Sequence, residues 1–482
     1  MLNLKIIFNI IGFLLMLNGL FMMLSIPFSL YYGDNDVIVL LLCGFGTSLI
    51  GGLIVLLTRK HEKYLRKREG YIVVSSGWIV MSLFGAIPFV IHGAIPSYTD
   101  AFFETISGFT TTGASILNNI EELPHGLLFW RSITQWLGGM GIIVLSIAIL
   151  PILGIGGMQL FVAEVPGPTK DKIHPRVKET AKRLWGIYLL FTVVETGLLL
   201  IGGMNLFDAI NHSFTTMATG GFSTKQASIA AYDSPFIHYV MIVFMFLAGT
   251  NFTLHYYLLH RNFKPLKEND EFRFYLKIIL VITVIVVAGL MLSSYTDFEN
   301  GFRDGLFQVV SIVTTTGYVT ADYELWGPFF TVLFVILLFT GGSAGSTGGG
   351  IKMVRHLLLI KNSIAELKRL IHPRAVIPVR FNKNAVSSDI ISNVLAFFLF
   401  YIFIFVIGTL IMSLIGLDFE TALGATATSI GNVGPGIGAV GPSLNFADVP
   451  DIGKWVLSFL MLLGRLELFT VLLIFSPAFW QK

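Results

Sequence analysis

The chain is poor in the residues on which disulfide bonds, metal sites and enzyme active sites depend. It contains a single cysteine, Cys43, so an internal disulfide is excluded. Its 10 histidines are scattered along the chain without the spacing of metal ligands. No nucleophile, base and orienting group can be combined into a catalytic set. The sequence therefore predicts that the protein is not an enzyme and that it holds no organic cofactor.

Charged residues are scarce as well, at 13% of 482 residues, whereas hydrophobic residues make up 54% and phenylalanine alone occurs 42 times. The mean hydropathy of +0.77 is far above what a soluble domain can hide in its core. Apolar stretches long enough to cross about 30 Å of hydrocarbon recur along the whole chain. Because lipid cannot satisfy free backbone amide groups, these stretches are expected to be helical. The composition predicts an all-α membrane protein whose partner is the lipid bilayer and not a nucleic acid.

The few basic residues are concentrated in four segments, 59–68, 170–183, 261–277 and 352–383. The positive-inside rule predicts that these segments are cytoplasmic. The connections between them carry mostly Asp and Glu, so the opposite face is acidic. That face either attracts cations towards a vestibule or consists of ordinary solvated loops. Ten spans with both termini in the cytoplasm satisfy all four basic segments.

A sixteen-residue pattern occurs four times along the chain. It reads DAFFETISGFTTTGAS from Asp100, DAINHSFTTMATGGFS from Asp208, DGLFQVVSIVTTTGYV from Asp304 and DFETALGATATSIGNV from Asp418. In each copy a glycine stands thirteen residues after the aspartate, at Gly113, Gly221, Gly317 and Gly431. Four ungapped matches indicate an internal repeat. Each aspartate is interpreted as the N-cap of a short helix in preference to a surface charge that attracts cations.

Each copy lies between two long apolar segments, and its helix of about twelve residues is too short to cross a bilayer. The first spans are predicted at 71–93, 184–204, 273–294 and 388–413, and the second at 127–152, 236–260, 328–352 and 453–479. Two leading transmembrane helices, 4–30 and 37–58, precede them. The predicted fold is four pseudo-fourfold-related repeats of span, pore helix and span around one central pore. The predicted boundaries are 1–69 for the leading helices and basic loop, 70–169, 170–260 and 261–383 for the first three repeats, and 384–482 for the fourth.

The turns after the four short helices are the candidate ion-binding site. Irregular backbone is allowed inside a membrane only where it is buried in protein or lines a wet cavity, so four such segments suggest one shared pore. The partially negative C-terminal end of each helix would face the turn, where glycine lets carbonyl oxygens point inward. A ring of carbonyl oxygens replaces the hydration shell of a monovalent cation. The residues predicted to bind the cation are Thr111, Thr112, Gly113, Thr219, Gly220, Gly221, Thr315, Thr316, Gly317, Ser429, Ile430 and Gly431.

A candidate gate lies in the second span of the third repeat, which contains TGGSAGSTGGG at 340–350. Because each glycine costs about 1 kcal/mol relative to alanine in a helix, this span should break near mid-membrane. The break is either a mobile loop that blocks the path or a site of close helix packing. Arg465, inside the last apolar span, is either a barrier to cations or a packing residue paired with a carboxylate; Glu467 does not share its helix face. The predicted gate residues are Gly345, Ser346, Thr347, Gly348 and Arg465.

With these features the chain resembles the Trk/Ktr/HKT superfamily of potassium transporters. The resemblance rests on the four repeats, the TTTG copies, the TGGSAGSTGGGIK loop and the sequence GRLE at Gly464–Glu467, and it covers the whole chain. It implies K⁺ uptake across the bacterial inner membrane, with K⁺ bound in the filter. It also implies a homodimer with one pore per subunit and a cytoplasmic TrkA-type ring that binds nucleotides. Glycine at Gly113 resembles the members of the superfamily that favour K⁺ over Na⁺.

A secondary cation transporter coupled to H⁺ or Na⁺ is the alternative function. Inverted repeats and paired broken helices would favour that class. Here all four repeats start on the same side, and a break is predicted only in the second span of the third repeat. The basic cytoplasmic segments suit either a regulatory partner or anionic lipid head groups.

Overall fold

The computed structural model describes residues 2–59, 66–149, 177–293 and 297–481. Within these ranges the regular structure is almost entirely α-helical, as predicted. The first eleven described helices are α1 (Leu4–Met23), α2 (Ile26–Tyr32), α3 (Val37–Thr58), α4 (Lys67–Gly85), α5 (Ile87–His92), α6 (Tyr98–Phe109), α7 (His125–Ile149), α8 (Val177–Ile201), α9 (Leu206–Met217), α10 (Pro235–Ala248) and α11 (Phe252–Leu259). The next ten are α12 (Lys264–Glu268), α13 (Asp270–Ser293), α14 (Phe298–Val313), α15 (Pro328–Leu337), α16 (Met353–Ile371), α17 (Ser388–Ile415), α18 (Phe419–Gly431), α19 (Asp451–Arg465), α20 (Phe469–Phe475) and α21 (Pro477–Trp480). Strands β1 (Arg380–Phe381) and β2 (Asn384–Ala385) form a small antiparallel hairpin after α16.

Six described helical segments are long and apolar enough to cross a membrane. Their bounds are Leu4–Tyr32, Val37–Thr58, Arg68–His92, Ala181–Ile201, Asp270–Ser293 and Ser388–Ile415. They match the two leading spans and the first span of each repeat, as predicted. Leu292 in α13 and Leu414 in α17 are 90% and 86% exposed, which suits a surface covered by lipid and not by water. Parts of the predicted basic segments 59–68 and 170–183, and the end of the predicted span 127–152, lie outside the described residues.

The four short helices form the centre of the bundle. In α6 every residue from Ala101 to Phe109 is buried, and the same holds for 307–313 in α14 and for 424–431 in α18. The last three residues of α9 are buried as well. The long spans therefore surround the C-terminal ends of the short helices and separate them from lipid.

The second spans differ from the sequence prediction, which expected a break in the third repeat alone. In the second repeat α10 and α11 are bent by 106°, and in the fourth α19 and α20 are bent by 118°. In the first repeat Gly141, with a φ of +56°, kinks α7. In the third repeat α15 ends at Leu337 and helical structure resumes at Met353. The prediction was right for the third repeat and wrong for the other three.

Polar groups stabilise the additional breaks in the second and fourth repeats. Asn251 caps α11 by accepting a hydrogen bond from the Thr253 amide at 2.8 Å. The neighbouring Phe252 amide donates to the Gly345 carbonyl at 3.0 Å. Glu467, between α19 and α20, has left-handed backbone with a φ of +55°. A membrane helix can be broken wherever such partners satisfy the freed backbone groups.

The two leading helices pack closely because glycines face each other. A Cβ atom at Gly19 in α1 would lie 2.2 Å from the Gly44 carbonyl oxygen in α3, and one at Gly51 would lie 2.4 Å from the Gly12 oxygen. Small residues allow membrane helices to approach in this way, since lipid provides no hydrophobic force that would drive them together. The pair therefore depends on backbone contact.

We predict that Gly19→Ala separates α1 from α3 and destabilises the protein by about 1–3 kcal/mol, because the added methyl group overpacks a backbone contact. The measurement is the midpoint of thermal unfolding of the purified protein in detergent, which should fall. Gly46→Ala is the matched control, since a Cβ atom at Gly46 in α3 meets nothing within 4 Å. An equal midpoint for both variants would contradict close packing of the leading helices.

Candidate functional site

Each of the four short helices begins at a side chain that caps its first turn. Asp418 caps α18 by accepting from the Thr421 amide at 3.0 Å, which agrees with the sequence prediction. In the other copies the predicted aspartate is not the cap: Asp100 and Asp208 lie three residues after their caps, and Asp304 lies inside α14. The observed caps of α6, α9 and α14 are Ser97, Asn205 and Asp297.

The turn after each helix has the same backbone conformation in all four copies. In the first copy Thr111 is left-handed with a φ of +52°, and Gly113 follows with a φ of +82°. The amides of Thr111 and Thr112 donate back to the carbonyls of Gly108 and Ser107. The pairs equivalent to Thr111 and Gly113 are Thr219 and Gly221, Thr315 and Gly317, and Asn432 and Gly434. Glycine suits the last position because a positive φ disfavours residues with a Cβ atom.

This equivalence corrects the register predicted for the fourth copy. The predicted residues Ser429, Ile430 and Gly431 form the last turn of α18, and the turn is made by Asn432, Val433 and Gly434. The error of three residues arises because Asp418 is a helix cap, whereas Asp100 is the third residue of α6. The number of residues from the helix cap to the left-handed residue is the same in the first, second and fourth copies. In the third copy this distance along the chain is longer by four residues.

The four turns are neighbours in a closed ring. A Cβ atom at Gly113 would lie 2.1 Å from the carbonyl oxygen of Gly220, which belongs to the second copy. The same contact runs from each copy to the next: Gly221 to the Thr316 oxygen at 2.0 Å, Gly317 to the Val433 oxygen at 2.0 Å, and Gly434 to the Thr112 oxygen at 2.9 Å. The structure thus brings together the predicted residues of the first three copies and completes the ring with residues that the sequence prediction missed.

Side chains around the ring hold the turns in place. The amide of Gln135 in α7 donates to the Gly220 carbonyl at 2.6 Å and accepts from the Phe222 amide at 3.0 Å. Gln135 therefore binds the residue before Gly221 and the residue after it. Asn432 donates to the Thr112 hydroxyl at 3.0 Å and to the Met461 carbonyl at 2.8 Å, which links the fourth copy to the first. Neither Gln135 nor Asn432 is among the residues that the sequence predicted to bind the cation.

The glycine-rich segment 338–352 lies against the C-terminal ends of the short helices. The Gly349 amide donates to the Thr315 hydroxyl at 2.7 Å. The Thr347 hydroxyl donates to the carbonyls of Met217 and Ala248 at 2.9 and 3.1 Å. A Cβ atom at Gly349 would lie 2.7 Å from Cβ of Asn432. The loop therefore contacts the second, third and fourth copies of the ring from one side.

Arg465 contacts the same loop. Its Nη1 donates to the Thr347 carbonyl at 2.7 Å, and its Nη2 donates to the carbonyls of Gly139, at 2.9 Å, and Gly138. The side chain thus connects the loop to α7 close to the kink at Gly141. The structure brings the five predicted gate residues into one cluster, with the guanidinium directed at carbonyl oxygens. Glu467 pairs instead with Arg355, whose guanidinium stacks 3.7 Å from the ring of Phe397.

A buried carboxylate that the sequence interpretation missed binds the middle of the loop and the start of α16. Glu271, in the first turn of α13, accepts hydrogen bonds from the amides of Ala344 and Val354 at 2.7 and 3.1 Å. Ala344 lies inside the glycine-rich segment 338–352, and Val354 lies two residues after it, in the first turn of α16. The sequence signal was weak, because Glu271 stands in a charged helix start that resembles an ordinary solvated end.

The fold and this arrangement define a multi-span membrane transport protein with one ring of turns at its centre. A family described as TrkH, cation transport protein, matches residues 39–482. Proteins named Trk system potassium uptake protein TrkH from Halomonas elongata and Escherichia coli are each 41% identical, over 100% and 99% of both chains respectively. The crystal structure of the potassium transporter TrkH from Vibrio parahaemolyticus superposes with a TM-score of 0.90 at 39% identity, over 100% of both chains. The chain therefore belongs to the TrkH family of cation transport proteins, which confirms the resemblance found in the sequence.

We predict that Glu271→Leu releases the loop, because two amides lose their acceptor and each lost hydrogen bond costs about 1 kcal/mol. Amide hydrogen exchange of segment 340–354 in the purified protein should become at least about tenfold faster. Glu268→Leu is the control, since the exposed carboxylate of Glu268 pairs with Lys383 and not with the loop. Unchanged exchange in Glu271→Leu would show that the loop does not depend on this carboxylate.

Proposed function

We propose that this chain mediates K⁺ uptake across the bacterial inner membrane through its ring of four turns. In this proposal K⁺ is bound by peptide oxygens of the predicted residues 111–113, 219–221 and 315–317 and, in the fourth copy, of 432–434. The pore runs through the centre of one subunit and is formed by the four repeats in the boundaries derived from the sequence. The relatives at 41% identity are named for potassium uptake, which supports the choice of ion.

The closed ring is the observation that carries the proposal. Each turn places a glycine against the carbonyl oxygen of the next copy, so peptide oxygens from all four repeats lie around one centre. The short helices point their C-terminal ends at this centre, and the negative ends of four helix dipoles favour a cation there. Carbonyl oxygens can replace the water of a monovalent cation without a charged ligand, which leaves binding weak enough for passage.

The glycine-rich loop and Arg465 would gate this path. The loop packs against the helix ends beside the ring, and its Gly349 amide donates a hydrogen bond to the Thr315 hydroxyl. The guanidinium of Arg465 adds a positive charge that disfavours a nearby cation. Because Gly345 and Thr347 are joined to neighbouring elements by hydrogen bonds, a modest shift of those elements would release the segment from Gly345 to Gly348.

The loop continues directly into α16, which offers a route for regulation by a partner. The Met353 amide donates to the Gly342 carbonyl at 3.2 Å, so the start of α16 folds back on the loop. Farther along, Lys361 pairs with Asp270 at 2.7 Å at the beginning of α13. We propose that a TrkA-type nucleotide-binding ring acts on α16 from the cytoplasm, that both termini lie on that side, and that the chain functions as a homodimer.

Coupled secondary transport is the second candidate, and the bends of 106° and 118° in the second spans favour it. Broken helices at the centre of the membrane are a feature of coupled transporters. In this chain, however, the bends lie next to the loop and provide its hydrogen-bond partners. Flux measurements separate the two functions.

We expect purified protein in liposomes to carry K⁺ down its gradient when neither a pH gradient nor Na⁺ is present. The initial rate of K⁺ flux is measured with the K⁺, Na⁺ and H⁺ gradients varied separately, and empty liposomes serve as the control. A strict need for a proton or sodium gradient would reject the pore and support coupled transport. No K⁺ movement under any gradient would reject the proposed function.

We predict that Gly113→Ser lowers the K⁺/Na⁺ permeability ratio by about tenfold, which corresponds to about 1.4 kcal/mol, because the new side chain displaces the Gly220 oxygen. The ratio is obtained from reversal potentials with K⁺ on one side and Na⁺ on the other. Gly93→Ser is the matched control: its φ of +83° equals that of Gly113 within one degree, yet a Cβ atom there meets nothing within 4 Å. An unchanged ratio in Gly113→Ser would exclude this glycine from the selective ring.

A further inference from the structure

The middle of each short helix carries a residue whose side chain lies behind the ring. The position stands seven residues before the left-handed residue of each turn, and all four of its occupants are buried. The occupants in the first to fourth copies are Glu104, His212, Gln308 and Ala425. Although the backbone is equivalent in the four copies, the chemistry at this position differs in each.

In the first copy Glu104 binds the outgoing segment, which is the stretch of chain directly after the glycine of the turn. Its carboxylate accepts hydrogen bonds from the Ser115 hydroxyl at 3.0 Å and from the Ile116 amide at 2.9 Å. Ser115 follows Gly113 by two residues, so the carboxylate fixes the chain directly after the ring. The same carboxylate accepts from Nε of Arg131 at 2.7 Å, and the two side chains are 0% and 3% exposed.

Arg131 extends this contact to the second copy. Its Nη1 donates to the Ser223 carbonyl at 2.9 Å, two residues after Gly221. Its guanidinium also lies 3.5 Å from the ring centre of Phe222. A charge-assisted network therefore connects the helix of the first copy to the outgoing segments of two adjacent copies.

In the second copy His212 makes the equivalent contact without a net charge. Nδ1 lies 2.8 Å from the Asp208 carbonyl, which can only accept, so Nδ1 carries the proton. In the neutral ring Nε2 then accepts from the Ser223 hydroxyl at 2.9 Å. Ser223 is thereby held at its hydroxyl by His212 and at its carbonyl by Arg131.

The contact weakens in the third copy and has no counterpart in the fourth. The amide of Gln308 reaches the Thr320 hydroxyl at 3.5 Å, which is the longest of these contacts. Ala425 has no polar side-chain atom with which to hold the outgoing segment. At this helix position the four copies therefore carry an ion pair, a neutral imidazole, an amide and a methyl group.

We infer that Glu104, Arg131 and His212 are positioning residues that set the K⁺/Na⁺ selectivity of the ring. The inference rests on the proposed function, in which peptide oxygens select the ion. Selection by carbonyl oxygens depends on how firmly their spacing is held, and at this position the first two copies make shorter hydrogen bonds to the segment after the ring than the third copy does. A buried, hydrogen-bonded ion pair suits this task, because it specifies one geometry even where it adds little stability.

The test measures the K⁺/Na⁺ permeability ratio of variants in liposomes, together with thermal stability. We expect Ser115→Ala, which leaves the ion pair intact, to lower the ratio by about threefold, and Glu104→Gln to lower it by at least about tenfold. Ser132→Ala is the control, since the Ser132 hydroxyl in α7 bonds only within its own helix, to the Leu128 carbonyl at 3.2 Å. Its ratio should equal that of the unmodified chain.

If Glu104→Gln does not fold because Arg131 is left without its counter-charge, Ser115→Ala and Ser223→Ala decide the question. A normal ratio in both, with K⁺ flux retained, would overturn the inference and leave the proposed function standing. Loss of thermal stability with an unchanged ratio would also overturn it, since the network would then be structural only. Absence of K⁺ flux in the unmodified chain would instead reject the proposed function.

Discussion

A peptide group inside a bilayer needs a hydrogen-bond partner or a cation, because lipid supplies neither. This constraint organises the whole molecule. Four turns of non-helical backbone occur in the centre of the bundle, and the long spans keep lipid away from them. Their carbonyl oxygens contact the glycines of the neighbouring copy, so each turn packs against the next. The surrounding helices stabilise this irregular backbone.

The glycine-rich loop is a second stretch of irregular backbone that needs hydrogen-bond partners, and it lies next to the ring of turns. Its backbone is satisfied by side chains from several elements, among them the hydroxyl of Thr315, the carboxylate of Glu271 and the guanidinium of Arg465. Thr315 and Glu271 belong to the third repeat, as the loop itself does, whereas Arg465 belongs to the fourth. The position of the loop is therefore coupled to the relative position of the repeats, which is the property expected of an element that switches between two arrangements.

Because the four repeats belong to one chain, equivalent positions can carry different side chains, which four identical subunits do not allow. Each quarter of the ring has the same backbone, yet the residue behind it ranges from Glu104 to Ala425. The turn itself changes from Thr-Thr-Gly in the first copy to Asn432, Val433 and Gly434 in the fourth. Under the proposed function, the ion would therefore be surrounded by oxygens of similar geometry that are held by different side chains.

The sequence by itself determined the membrane class, the helical fold, the number of repeats, the turns of the first three copies and the position of the glycine-rich loop. These features follow from hydropathy, periodic spacing and glycine content, which are local properties of the chain. Only the tertiary structure decided the register of the fourth turn, the bends of the second spans and the roles of Gln135, Glu271 and the pair of Glu104 with Arg131. An aspartate looks the same in sequence whether it caps a helix or stands three residues inside it. A buried polar residue likewise acquires its role only from the distant backbone groups that folding brings within hydrogen-bond distance.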